Sequence, residues 1–310
     1  MTAEGPGVDG APRPGNIYDL GYHSYDGPRL GRPQAIRALF AHTLKTCFGI
    51  GRGGRAKIAP VVLGGLATIP AIVAVGAFAL LRQAIGTSDE IQQASPVQHD
   101  TYYAIVTIPV VLFCAAQAPE VLGRDQRHNL LALYFSRALR RVDYALARFA
   151  GVAAAILVFV LLPQLILLLG FVLSAEDIGT ELGRELEAVP AIVGQALIIA
   201  GLLGGISAAV SAFTPRRVYA TTAIIVLLAV TPIVSTVLIE LGTTTLATLL
   251  VLLSPTDILE ATNAWLFDTR PDSGAVRQSD LPLAAFGIAA AIISAACVAI
   301  LVRRYTTIAA

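Results

Sequence analysis

Residues 149–173 read FAGVAAAILVFVLLPQLILLLGFVL, 25 consecutive positions without a charged side chain. A helix rises about 1.5 Å per residue, so about 20 such residues cross a hydrocarbon layer of about 30 Å. In that layer no water satisfies the backbone, so the run must close its own hydrogen bonds as a helix. Working outward, five more runs read the same way: Ile58–Leu81, Thr101–Leu122, Pro190–Phe213, Val218–Glu240 and Leu281–Val302. Composition agrees. The chain is 55% hydrophobic and only 14% charged, against about a quarter charged for a soluble domain. The fold predicted is an all-α integral membrane protein with six transmembrane helices over 58–304.

Lysine and arginine orient those helices. With the N-terminus in the cytoplasm, every basic residue except Arg82, Arg184, Arg270 and Arg277 falls on the inner side, a strong positive-inside pattern. It predicts cytoplasmic N- and C-termini. Pro70, Pro109, Pro163 and Pro232 sit within spans one, two, three and five, where neighbouring helices tolerate the kinks they cause. In span four, Gly201, Gly204, Gly205, Ser207 and Ser211 form a small-residue face suited to close helix contact.

Ahead of the first span, residues 1–33 are expected to be an extended cytoplasmic tail, rich in Gly and Pro up to Gly15. Residues 34–57 follow as a helix and an elbow. Ile36, Leu39, Phe40, Thr43, Leu44, Cys47 and Phe48 recur at helical spacing. They predict an amphipathic helix lying along the inner membrane surface, or one docked on a partner. Gly49, Gly51 and Gly54 match GxGxxG by letter. They follow a helix rather than a strand, so the reading is an elbow and not a dinucleotide site. Residues 243–280 are expected outside. They combine a short apolar run, Leu246–Leu253, with a helix whose start carries Ser254 as N-cap, Pro255 at N1 and Asp257 at N3.

The segment upstream of the opening stretch, residues 120–148, reads EVLGRDQRHNLLALYFSRALRRVDYALAR. A solvated positive-inside loop explains its arginines. It does not explain Leu130, Leu131, Leu133, Tyr134, Phe135 and Leu139 among them. Glu120 closing span two, the charged Arg124, Asp125 and Arg127, the leucine-rich Leu130–Leu133, the break Ser136–Leu139 and the Arg-x-x-Tyr-x-x-x-Arg element of Arg141, Tyr144 and Arg148 together resemble the coupling region of ABC-2 type permeases, the membrane subunits of bacterial ABC exporters. That family often has Pro at the break, where this chain has Ser136-Arg137-Ala138. Ser254-Pro255-Thr256-Asp257 and the helix Ile258–Phe267 before the last span, and Tyr18–Tyr22 and Tyr25–Gly31 in the tail, are similar to elements of such permeases.

The resemblance implies a function and its partners. The chain would be the permease of an ATP-driven exporter, with 123–141 as a cytoplasmic coupling helix gripping a separate P-loop ATPase. Arg124, Asp125, Arg127, Leu130, Leu131, Arg137 and Arg141 are the expected contacts. A second permease subunit, identical or related, would complete a path lined by spans two and five, for which Phe113, Gln117 and Thr231 are the candidate cavity residues. ATP and Mg would sit on the ATPase. This chain has no GxxxxGK[ST], HExxH or GxSxG, so no catalytic residue and no cofactor of its own is expected.

Other classes draw less support. Cys47, Cys114 and Cys297 form no CxxC, and His23, His42, His99 and His128 are scattered, so neither a disulfide framework nor a metal site is expected. The midspan polar groups are Gln117, Gln164 and Gln195 rather than acids, which favours an external energy source over proton coupling. Nothing indicates nucleic acid. A membrane scaffold or immunity protein of the same fold, without transport, is the alternative.

Overall fold

The helices outrun the apolar segments that define them, because a helix does not end where hydropathy falls. In the computed structural model, which describes residues 27, 30–85, 97–136, 139–175, 177–242 and 244–307, the six long helices are α2 (Gly54–Ile85), α3 (His99–Arg127), α5 (Arg141–Ser174), α6 (Ile178–Phe213), α7 (Arg217–Glu240) and α11 (Leu283–Thr307). Between and around them lie α1 (Gly31–Cys47), α4 (Leu131–Phe135), α8 (Thr244–Val251), α9 (Pro255–Phe267) and α10 (Gly274–Gln278). No strand occurs among the described residues. The six long helices are each long and apolar enough to cross a membrane, the build of a multi-pass membrane protein.

The described residues from Gly31 onward form one compact unit. Almost all of the tail expected over 1–33 lies outside the described residues. Its last residues are not extended, since α1 begins at Gly31. The opening stretch begins eight residues early, at Arg141, and the last span starts at Leu283, just beyond Pro282.

Core placement follows side-chain size. α6 is the most enclosed of the six. Its small face lets neighbours approach closely: Gly201 and Gly205 lie against Ser294 and Cys297 of α11, and Gly204 lies against Ile156 of α5. Outward-facing Val61, Ile69, Val73, Leu165, Leu169 and Ile292 are exposed. A soluble protein does not leave so much contiguous apolar surface uncovered, whereas lipid requires it.

The α2–α5 crossing is the tightest. A Cβ at Gly170 would come within 2.3–2.9 Å of three Val75 side-chain atoms. Gly170→Ala is therefore expected to cost about 1–3 kcal/mol of stability, read as a lower unfolding midpoint in mixed micelles. Adding Val75→Gly removes every one of those atoms and should recover most of it. A parental midpoint for the single variant would refute the crossing.

α1 places part of its apolar face inside the bundle. That face packs on this chain's own α5 and α3, with Leu39, Thr43, Thr46 and Cys47 buried. The elbow after it is a turn with Gly49 and Gly51 at positive φ. At Gly49 a Cβ would also meet the Ala56 carbonyl oxygen at 2.8 Å, so glycine is needed there twice over.

α9 starts as expected, with Pro255 in its first turn. Ser254 has N-cap backbone geometry, but its side chain caps no helix N–H. α9 is also no loose outer helix. Ile258, Leu259, Ala261, Thr262 and Ala264 are buried where it wedges against α11, α6, α7 and α3.

Candidate functional site

The arginine-rich end of the bundle is built around one buried charge pair. α3 stops when Asn129 takes a left-handed conformation, φ 53°, and the chain turns back with the Leu130 N–H donating to the Asp125 carbonyl at 3.0 Å. α4 then crosses to α5, whose first turn is held by Asp143 accepting the Arg140 N–H at 3.1 Å. Tyr144 and Arg148, one turn apart on α5, share a face. Both reach Asp125: Tyr144 donates its hydroxyl at 2.6 Å, and Arg148 pairs directly with the same carboxylate oxygen. Arg148 is 2% exposed and Asp125 5%.

Aromatic rings close over this pair. The Arg148 guanidinium lies 5.3 Å from the Tyr144 ring and 5.8 Å from the Tyr134 ring, within cation–π range. Tyr144 in turn packs on Phe135 of α4 and Tyr305 of α11. Arg148 also donates to Thr43 Oγ1 of α1 at 2.9 Å, and Gln126 donates to the Ala212 carbonyl of α6 and the Tyr305 hydroxyl. Six helices thus meet at one latch: α1, α3, α4, α5, α6 and α11.

Two further clusters surround it. Glu120 pairs with Arg52, Arg217 (3.4 Å) and Arg127 (3.8 Å), joining the elbow, α3 and α7. Arg32 donates twice to Asp143, each at 2.7 Å, a fork-on-carboxylate geometry that ties the start of α1 to the start of α5.

The residues expected at a partner interface divide accordingly. Arg124 and Arg127 are exposed, as is Leu133 on α4 beyond the turn. Leu130 is half-buried. Arg141 is half-buried and donates to the Thr306 carbonyl at 2.8 Å, with its guanidinium over Phe135. Asp125 and Leu131 are interior, Asp125 as the carboxylate of the latch. Arg137 lies outside the described residues.

The candidate cavity residues do not form a cavity. Phe113 is packed between Phe48 and Phe159, and Gln117 is buried. Thr231 donates to the Leu227 carbonyl of its own helix. None of them lines either of two cavities at the opposite end of the bundle. The smaller, about 180 Å³, is bordered by His99, Asp100, Phe171, Arg184 and Glu185. The larger, about 400 Å³, lies between α3, α6 and α9. Asp100 and Thr269 line both.

His99 holds the smaller cavity's wall. Gln164 donates to the His99 carbonyl at 3.1 Å, which turns its amide oxygen toward His99 Nδ1 at 2.6 Å. Nδ1 therefore carries a hydrogen, and Nε2 faces Glu185 at 2.8 Å. The sequence offers no local signal for this trio, since its members are far apart in the chain. Arg148 had one: it lies four residues after Tyr144 on a helix. No family model matches the chain, and no curated protein matches it.

Proposed function

We propose that this chain is the membrane-spanning subunit of an ATP-driven exporter, a permease of the ABC-2 type that works with a separate P-loop ATPase. In this reading the arginine-rich end faces the cytoplasm, the turn from Arg124 to Arg141 receives the ATPase, and a second permease subunit completes the pathway. The cargo is a hydrophobic or amphiphilic molecule such as a drug, lipid, peptide or antibiotic.

The observation that carries the reading is the mounting of that turn. Exposed Arg124 and Arg127 at the end of α3 and Leu133 on α4 flank a turn whose base is the buried Asp125–Arg148–Tyr144 latch. A force on a loosely tethered loop is dissipated in the loop. A force on this turn passes to the ends of α3, α5 and α11 together. ATP then shifts two bundle states only through contacts that differ between them, and a stiff turn supplies such contacts.

The test is co-purification from native membranes in mild detergent. A soluble P-loop ATPase is expected in roughly equal amount with the parent chain, and is expected to be lost from the Arg124→Glu/Arg127→Glu/Leu133→Glu variant. All three positions are exposed, so the fold should survive. A chain that elutes without an ATPase, even after cross-linking, would refute the proposal.

A further inference from the structure

Glu120 sits among more positive charge than it can balance. Its one carboxylate faces three guanidiniums: Arg52 of the elbow, Arg127 of α3 and Arg217 at the start of α7. Among the described residues no other carboxylate pairs with these three, so the cluster keeps a surplus of two positive charges. Arg52 pairs closely with Glu120, whereas Arg217 stands at 3.4 Å and Arg127 at 3.8 Å. A guanidinium carries more N–H donors than one carboxylate oxygen can use. Arg127 and Arg217 are also well exposed, so donors remain open to an acceptor from outside.

The place of the cluster specifies that acceptor. Glu120 lies near the end of the apolar run of α3, Arg217 directly before that of α7, and Arg52 just ahead of α2. Three membrane-crossing helices thus bring the arginines to the level where hydrocarbon gives way to headgroups. Apolar surface continues from the charges along the outside of the bundle. Val218 and Tyr219 follow Arg217 and are exposed, as are Ile58 and Val61 of α2. The Arg216 guanidinium lies 5.6 Å from the Tyr219 ring, a cation and an aromatic ring together, as at a membrane–water interface. The matching ligand carries a fixed negative charge with several acceptor oxygens at one end and hydrocarbon at the other.

We infer that the Glu120 cluster is a binding site for the phosphate of an anionic lipid headgroup, with the acyl chains lying along α7. The phosphate accepts from Arg217 and Arg52, a pairing that suits the planar guanidinium. Glu120 gathers the arginines while leaving their charge in excess. Basic pockets between spans recognise headgroups in this way. The site requires only that these helices cross a membrane, so it stands apart from the exporter reading.

The test is native mass spectrometry of the full chain, released from detergent with phosphatidylglycerol and phosphatidylcholine of equal chain length at equal concentration. Both carry a phosphate, but choline cancels the charge of the second. The phosphatidylglycerol adduct should be about tenfold or more the stronger. Arg217→Gln should cut that preference by about fivefold, the worth of one arginine at a membrane surface. Arg303→Gln removes an equal, exposed charge at the same end on α11, which packs on α5, α6 and α9, and should leave the preference unchanged. Glu120→Gln keeps an acceptor oxygen and enlarges the surplus, so it should raise the preference, a gain that misfolding cannot produce. Inorganic phosphate at the lipid's concentration should displace nothing. Equal retention of the two lipids would overturn the site, and so would a Glu120→Gln chain with no gain. Equal losses in Arg217→Gln and Arg303→Gln would show diffuse attraction in its place, and displacement by phosphate would show a free anion as the ligand; either overturns the lipid site.

Discussion

Asp125→Ala should lower the stability of the folded chain by about 3–5 kcal/mol. The loss comes from the partner left behind. Arg148 is almost wholly enclosed, and its Nε already has no partner. Removing Asp125 takes away the one carboxylate paired with it among the described residues, and leaves Thr43, a long hydrogen bond to the Tyr134 hydroxyl at 3.5 Å and the faces of two tyrosines. Tyr144 loses its acceptor as well. The measurement is unfolding in mixed micelles followed by helical circular dichroism. A triple replacement separates the charge from the shape. Asp125→Leu, Tyr144→Phe and Arg148→Met together leave no buried charge, and a well-packed apolar substitute for a buried ion pair is often neutral. The triple variant should recover most of the loss. If Asp125→Ala unfolds at the parental midpoint, water or lipid headgroups reach Arg148 and the latch is not closed.

The latch and the Glu120 cluster divide the work at this end. Glu120 is 14% exposed on its side chain and is shared among three arginines, two of them well exposed. Such a pairing rearranges at little cost, because exposed ion pairs are individually weak. The latch is the reverse: few partners, all buried, and costly to separate. A joint that hinges at Glu120 while holding firm at Asp125 would let α7 and the elbow move while α3, α5 and α11 stay locked.

The six long helices were legible because each carries an apolar run long enough to be unmistakable. Their true ends were not. Arg141, Asp143 and Tyr144 are polar enough to read as loop, yet they continue α5, because Asp143 satisfies the N-terminal backbone and Arg32 at once. Arg148 was legible as the end of the Arg-x-x-Tyr-x-x-x-Arg element, but not as a buried residue. Its burial depends on Asp125, 23 residues away on another helix, beyond the reach of periodicity. The same holds for α9. Its Ser-Pro start is readable, but Asp257, Thr262 and Asn263 look like surface. Inside the fold Asp257 accepts from Ser235, Thr262 donates to the Leu259 carbonyl and Asn263 donates its NH₂ to the Asp100 carbonyl. Phe113 and Gln117 face the inside of this chain, where Phe113 is packed between Phe48 and Phe159.

Gly151→Leu should detach α1 from the bundle while leaving the six long helices in place. A Cβ at Gly151 would stand 2.5 Å from Thr43 Cγ2 and 3.2 Å from the Phe40 carbonyl oxygen. The first is a side chain that is itself buried, and the second is backbone, so a leucine has nowhere to go without moving the helix. Cys47 at the end of α1 reports the outcome. It is fully buried, and burial pushes its thiol up to about 12. At pH 8 only about one molecule in ten thousand would carry the thiolate that reacts with maleimide. Release of α1 restores both access and an ordinary thiol, so labelling should rise by about 100-fold or more. Cys297→Ala removes the partly exposed thiol, and Cys114, buried in α3, serves as the control. Labelling of Cys47 alone means that α1 has come away as a unit. Labelling of Cys47 and Cys114 together would mean that α1 is part of the cooperative core. A silent Cys47 in a folded Gly151→Leu protein would show that the close approach of α1 and α5 is not what holds α1 down.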